Sequence, residues 1–171
     1  MPSVLPSPKI LAPASLLAAL LLVAPAQAAC TDAAGPGVDW RRCLMDGSNL
    51  NGADLTGAVL RDASLTRSQM VGARIARVEG QESRFVSADL TRLEATGANL
   101  RGADFTRTTL VEAVFTGADL RGARFFRSDL TGANFSGASI ASADFSGAIM
   151  AGALWLDGVK RCAANSVGAC R

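Results

Sequence analysis

The chain has 171 residues, a formal net charge of +2, no His, no Tyr, and an aromatic content of only 5%. That length suits one domain with a sizeable core, and the missing His removes the commonest general base and the commonest metal ligand together. The apolar fraction of 49% is mostly Ala and Leu beside 17 Gly, a composition for close, regular packing of small side chains.

Residues 1–28 read as an export signal peptide. Lys9 supplies a positive start, Ile10 to Val23 supply the apolar stretch, and Ala26-Gln27-Ala28 supplies the small-x-small cleavage pattern. The apolar stretch is too short to span a bilayer, so no transmembrane span is expected. The mature chain then begins at Ala29, in the periplasm or outside the cell. The alternative is a lipoprotein with Cys30 lipidated; Gln27 stands where lipoprotein signals usually carry Leu.

Residues 29–43 form an expected N-terminal cap. It holds Cys30 and Cys43, and the other two cysteines, Cys162 and Cys170, lie near the opposite terminus. Four cysteines permit three pairings. Only Cys30–Cys43 with Cys162–Cys170 keeps each bridge within one end. Such short loops stabilise by about 2.5–3 kcal/mol each in the loop-entropy picture. Four free thiols or a metal site are the other readings, disfavoured in an oxidising compartment and without His.

Residues 44–157 carry a period of five. NLNGADLTGAVLRDASL shows it first, and GANLRGADF and FTGADLRGARF repeat it. Centres fall at Leu50, Leu55, Leu60 and every fifth residue to Trp155, and all are large and apolar except Gly80 and Ala95. Two residues before each centre sits a small Ala, Ser or Thr, except at Val78 and Leu93. The exceptions coincide: a large residue moves to the small site where the large site empties, which conserves interior volume. A helix needs an apolar spacing of 3.6 and a strand needs 2. Spacings of two then three instead describe a chain that turns a corner every five residues. One unit cannot bury its apolar pair alone, so the chain must wind as a solenoid.

This pattern resembles the pentapeptide-repeat family, A(D/N)LXX, over Val38 to Asp157. The resemblance implies an all-β fold, a right-handed quadrilateral β-helix with four units per coil. The sequence supports four units independently, because Phe85, Phe105, Phe125 and Phe145 recur every twenty residues and would stack on one side. Phe115, Phe135 and Trp155 would stack on another. About six coils at ~4.8 Å give a rod of roughly 28 Å. Residues 158–171 form an expected C-terminal cap. CTDAAGPGVDWRRC and WLDGVKRCAANSVGAC resemble the Cys-bearing ends of exported family members, and disulfide-pinned caps would close the open ends of the coil.

No catalytic constellation, cofactor site or metal site is read in the chain. GADLTGA and GANFSGA lack the Lys-Ser/Thr of a phosphate loop, and Asp54, Asp104, Asp119 and Asp129 occupy solvent positions just before the centres. At twenty residues per coil, Arg41, Arg61, Gln81, Arg101 and Arg121 align in one column, Arg67, Ser87, Arg107 and Arg127 in another, and Arg84, Asp104, Arg124 and Asp144 in a mixed one. The arginines either pair with neighbouring carboxylates or form a strip for an anionic partner. Phe126 is the one aromatic at a solvent position. The expected function is a non-catalytic, secreted or periplasmic scaffold or binding module. It would act through its exterior on a protein or anionic envelope component, as a monomer or weak dimer. The alternative, implied by some family members, is a DNA mimic that modulates a type II topoisomerase; the export signal and arginine-rich edge argue against it and against nucleic acid as a partner.

Overall fold

The computed structural model describes residues 30–171; the expected export signal lies outside them. From residue 36 to residue 155 one five-residue motif recurs without a break: two turn residues, one linking residue, one bridged residue and one buried centre. No helix occurs among the described residues. Each turn is closed by its own hydrogen bond, as where the Ala53 N–H donates to the Leu50 carbonyl at 3.1 Å. The third residue of every turn has positive φ, from Gly37 at 70° to Gly152 at 67°. A type II turn requires that conformation, which explains the glycine content. Eleven turns nevertheless place a non-glycine residue there, Arg107 (φ 56°) and Arg127 (φ 56°) among them. Each such residue costs roughly 1–2 kcal/mol of backbone strain.

Every bridge within the repeat joins a residue to the one twenty positions on, in parallel, from Asp39↔Val59 to Asn134↔Leu154. Four bends therefore make one coil, and four columns of bridged residues define four sides. The first side carries Asp39, Val59, Glu79, Asn99, Asp119 and Ser139; the second, Leu44, Ser64, Arg84, Asp104, Arg124 and Asp144. Asn49, Gln69, Asp89, Thr109, Asp129 and Ile149 form the third, and Asp54, Arg74, Glu94, Val114, Asn134 and Leu154 the fourth. Neighbouring coils exchange backbone bonds along each side: the Leu50 N–H donates to the Gln69 carbonyl (2.7 Å), and the Gln69 N–H to the Ser48 carbonyl (2.9 Å).

The motif starts earlier than the boundary at residue 44 read from the sequence. Asp39 is bridged and Trp40 is buried, so residues 36–43 are coil and only residues 30–35 precede it. Val38-Asp39-Trp40 fills the small, bridged and central sites in phase, but its bulky residues disguise the repeat.

Inside, the centres and the small sites two residues before them fill the coil; Leu55, Leu60, Leu90, Leu110 and Leu130 are fully buried. The rings of Phe85, Phe105, Phe125 and Phe145 stack beneath the second side at 5.0–5.1 Å between centroids and within 6° of parallel. Phe115 and Phe135 stack beneath the fourth side at 5.3 Å, and the two columns meet edge to face across the interior, as Phe105 and Phe115 do at 6.0 Å. The volume exchange at the two irregular units is visible in contacts. Val78 and Leu93 are buried, and a Cβ on Gly80 would lie 2.9 Å from Leu100 Cδ2, so the next coil leans into the space that glycine leaves. Hydroxyls at small sites are satisfied by carbonyls: Ser68 Oγ donates to Leu65 O (2.7 Å), Ser83 Oγ to Gly80 O (2.6 Å) and Thr108 Oγ1 to Phe85 O (2.7 Å).

The two ends are finished differently. Cys30 is bonded to Cys43 with Cα atoms 5.4 Å apart, and Trp40 Nε1 donates to the Asp32 carbonyl at 3.3 Å. Cys162 is bonded to Cys170 with Cα atoms 4.8 Å apart. The chain around that second bridge lies antiparallel on the last coil, Val167 against Ile149 and Arg161 against Leu154. It covers only the third and fourth sides. On the first and second sides, the N–H groups of Ile140, Ser142, Phe145 and Gly147 meet no acceptor among the described residues, and Ile140 and Phe145 are half-buried.

Candidate binding surface

The bridged position explains the Asp and Asn of the repeat. Asp54 Oδ1 accepts from the Thr56 N–H (3.0 Å), Asp104 Oδ1 from Thr106 (2.9 Å), Asp129 Oδ1 from Thr131 (3.0 Å) and Asn134 Oδ1 from Ser136 (2.9 Å). Each side chain bonds the backbone two residues on, holding the entry to a turn. Read from sequence alone, these carboxylates were simply exposed. The Asp-x-Thr and Asn-x-Ser spacing was the signal for their role. The bonds hold several carboxyls below the usual aspartate range: Asp54 through Thr56, Asp144 through Ser146, and Asp157 through the backbone N–H groups of Val159 and Lys160.

The other charges are unevenly distributed. Ten arginines lie on the second side or at its two corners: Arg41, Arg42, Arg61, Arg101 and Arg121 at one, Arg84 and Arg124 on the side, and Arg67, Arg107 and Arg127 at the other. Five carboxylates share this zone, Asp46, Asp62, Glu82, Asp104 and Asp144.

The seven arginines singled out by alignment fall into two groups. Arg41 pairs with Asp39 (2.8 Å), Arg61 with Glu79 (2.6 Å), and Arg121 donates through Nε to Asp119 (2.8 Å), so these three lean toward the first side. The bonds from Arg41 and Arg121 draw the Asp39 and Asp119 carboxyls below their ordinary range, and hold the two guanidinium groups more firmly protonated. Arg101 differs because the corresponding first-side residue is neutral Asn99, whose Oδ1 has no partner among the described residues. Arg101, Arg67, Arg107 and Arg127 form no ion pair among the described residues. Within the mixed column, Arg124 and Asp104 meet at 4.0 Å. Phe126 is half-buried beneath the Arg127 guanidinium, which lies 5.0 Å from its ring centroid and is thereby held in place.

An open cleft of about 560 Å³ runs from the first corner onto the second side. Gly102 and Gly122 form its floor, Arg101, Arg121 and Arg124 stand around it, and Glu82, Ala141 and Ser142 complete it. The Glu82 carboxylate lies against Gly102, where a Cβ would collide with it. No cluster of three or more His, Cys, Asp or Glu with metal-holding geometry occurs among the described residues. No helix among them is long and apolar enough to cross a membrane.

A family model described as pentapeptide repeats matches eight copies, over residues 36–78, 83–122 and 118–154. Among solved structures, the chain is similar to HetL, a pentapeptide repeat protein involved in heterocyst differentiation regulation from the cyanobacterium Nostoc sp. strain PCC 7120. Identity is 24%, over 70% of this chain and 67% of that one, with a TM-score of 0.39. A pentapeptide repeat protein from the thylakoid lumen of Arabidopsis thaliana is 22% identical over 66% of this chain and 72% of its own (TM-score 0.26). QnrB1, a plasmid-mediated fluoroquinolone resistance protein, is 21% identical over 66% and 70% (TM-score 0.26). No curated protein matches the chain.

Proposed function

The chain belongs to the pentapeptide-repeat family, whose members fold as right-handed quadrilateral β-helices, and on that premise we propose that it is a non-catalytic scaffold acting outside the cytoplasm through its exterior. We take the rod to be about six coils at ~4.8 Å per coil, with residues 30–35 and 158–171 closing its ends through the two disulfides. The observation that carries this reading is the filled interior: the centres are buried along the middle of the coil and only partly exposed towards its ends, so recognition falls to the outer surface. That surface is differentiated at the second side, where ten arginines gather. Two disulfides with no free cysteine among the described residues fit an oxidising compartment. The export signal at residues 1–28 supplies the route.

Capture by the mature, disulfide-bonded protein from a solubilised envelope fraction tests the reading. Recovery of an envelope component, lost when second-side arginines are reversed in charge, supports it. A mature protein found in the cytoplasm with reduced cysteines would overturn it. The alternative of a topoisomerase-directed DNA mimic is separated by a supercoiling assay: it requires inhibition or protection of gyrase at stoichiometric protein, and the scaffold reading requires none.

A further inference from the structure

We propose that the second side and its corners bind a linear anionic polysaccharide, whose sulfate, phosphate or carboxylate groups are received by Arg101, Arg107 and Arg127, which form no ion pair among the described residues. The inference rests on the surface-binding reading and adds the class of ligand. Three observations on the molecule support it.

First, the cations of the coil are all arginine. The only lysines are Lys9 and Lys160, both outside the repeat. Arginine offers a planar fork that bonds oxyanions bidentately, which a lysine point charge does not.

Second, Arg107 and Arg127 stand one coil apart at the left-handed third turn position, which glycine fills at the neighbouring Gly147. Arg127 is braced on Phe126 with its stem over Gly147. Across the side, an open cleft lies between Arg101, Arg121 and Arg124, with the Glu82 carboxylate against Gly102 at its edge.

Third, the surface lacks what other polyanions use. Of the exposed large apolar residues, Leu44 stands on the second side but in its first coil, and Ile149, Val159 and Val167 lie near the C-terminal end, so a protein partner would find no apolar anchor between Arg101, Arg107 and Arg127 themselves. Phe126 stands alone and is covered by Arg127, so there is no row of aromatic platforms for single-stranded nucleic acid. A ligand held by charge and hydroxyl-rich, wet contacts is what remains.

The test uses the mature protein on immobilised heparin as a sulfated polysaccharide probe, beside double-stranded DNA and polyglutamate. Binding to heparin should weaken linearly with log salt and exceed binding to the other two. The double substitution Arg107→Gly with Arg127→Gly should weaken heparin binding about tenfold, the worth of two exposed ion pairs, while leaving thermal stability equal or higher because the strain is relieved. The matched control is Arg77→Gly with Arg92→Gly, which removes the same charge from the same strained turn position at the other two corners; its binding should be unchanged. The proposal is overturned by absence of retention at low salt, by equal losses in both doubles, or by stronger binding to DNA or polyglutamate. Envelope capture of a protein partner together with failure on heparin would remove this inference and leave the scaffold reading standing.

Discussion

The second and fourth sides are opposite walls of the same rod, and inside they are built alike. Each rests on a column of stacked aromatic rings, and the two columns interlock edge to face. Outside they diverge. The second side and its corners carry ten arginines against five carboxylates; the fourth side and its corners carry Arg74, Arg77 and Arg92 against Asp54, Glu94, Glu112 and Asp157. Repulsion between two exposed arginines ~5 Å apart in water is only about 0.8 kcal/mol. The interior therefore sets stability on both walls, and the exterior is free to differ.

The comparison can be broken at its strongest point first. Phe125→Ala and Phe115→Ala should each cost about 3–5 kcal/mol in chemical denaturation, whichever side they underlie. A loss below about 1 kcal/mol on either would mean that its ring column is not a core. Next, Cys162→Ser with Cys170→Ser should cost about 2.5 kcal/mol by loop entropy, and reductant should cost the unsubstituted chain more, because it also opens Cys30–Cys43. A mild effect would show that the antiparallel segment over the third and fourth sides is held by its backbone bonds alone.

Gly80→Leu should destabilise by about 1–3 kcal/mol through overpacking against Leu100, and adding Val78→Ala should recover part of that loss. No recovery would refute the volume exchange. At the turns the expected signs are opposite. Ser87→Gly, at the second corner, should gain about 1 kcal/mol and Gly117→Ala, at the fourth, should lose as much, because both positions hold φ near +60°.

The smallest effect is on acid stability. Folding lowers the carboxyl pKa of Asp39, Asp54, Asp119 and Asp144, so their contribution is complete above the unfolded aspartate value and fades as pH falls through the lower folded ones. Melting temperature should therefore hold from neutral pH to about pH 4 and decline below it. A decline beginning near pH 6 would point to other groups.

The period-five spacing made the coil and its aromatic columns legible in the sequence, because volume alternation repeats with every unit. The start at residue 36 was hidden by Val38 and Trp40, large residues in sites where the rest of the chain shows Ala and Leu. Columns of arginine could be drawn from residue numbers, but not their pairing. Whether an arginine is neutralised depends on its neighbours two residues back and one coil on. Asp39 and Asp119 silence Arg41 and Arg121, and Asn99 leaves Arg101 free. The turn role of the bridged carboxylates was missed because a solvent-facing side chain can still bond its own backbone.

The unbroken twenty-residue register has a consequence for how this rod tolerates change in length. Excising five residues from its middle keeps every bend and every buried pair in phase, yet rotates all that follows by a quarter turn about the axis. Phe115 and Phe135 would then continue the wrong column, and the arginines downstream would face a different wall. Excising twenty would shorten the rod and leave both patterns intact. Insertions and deletions in such a chain are graded by their remainder on division by twenty, more than by their size.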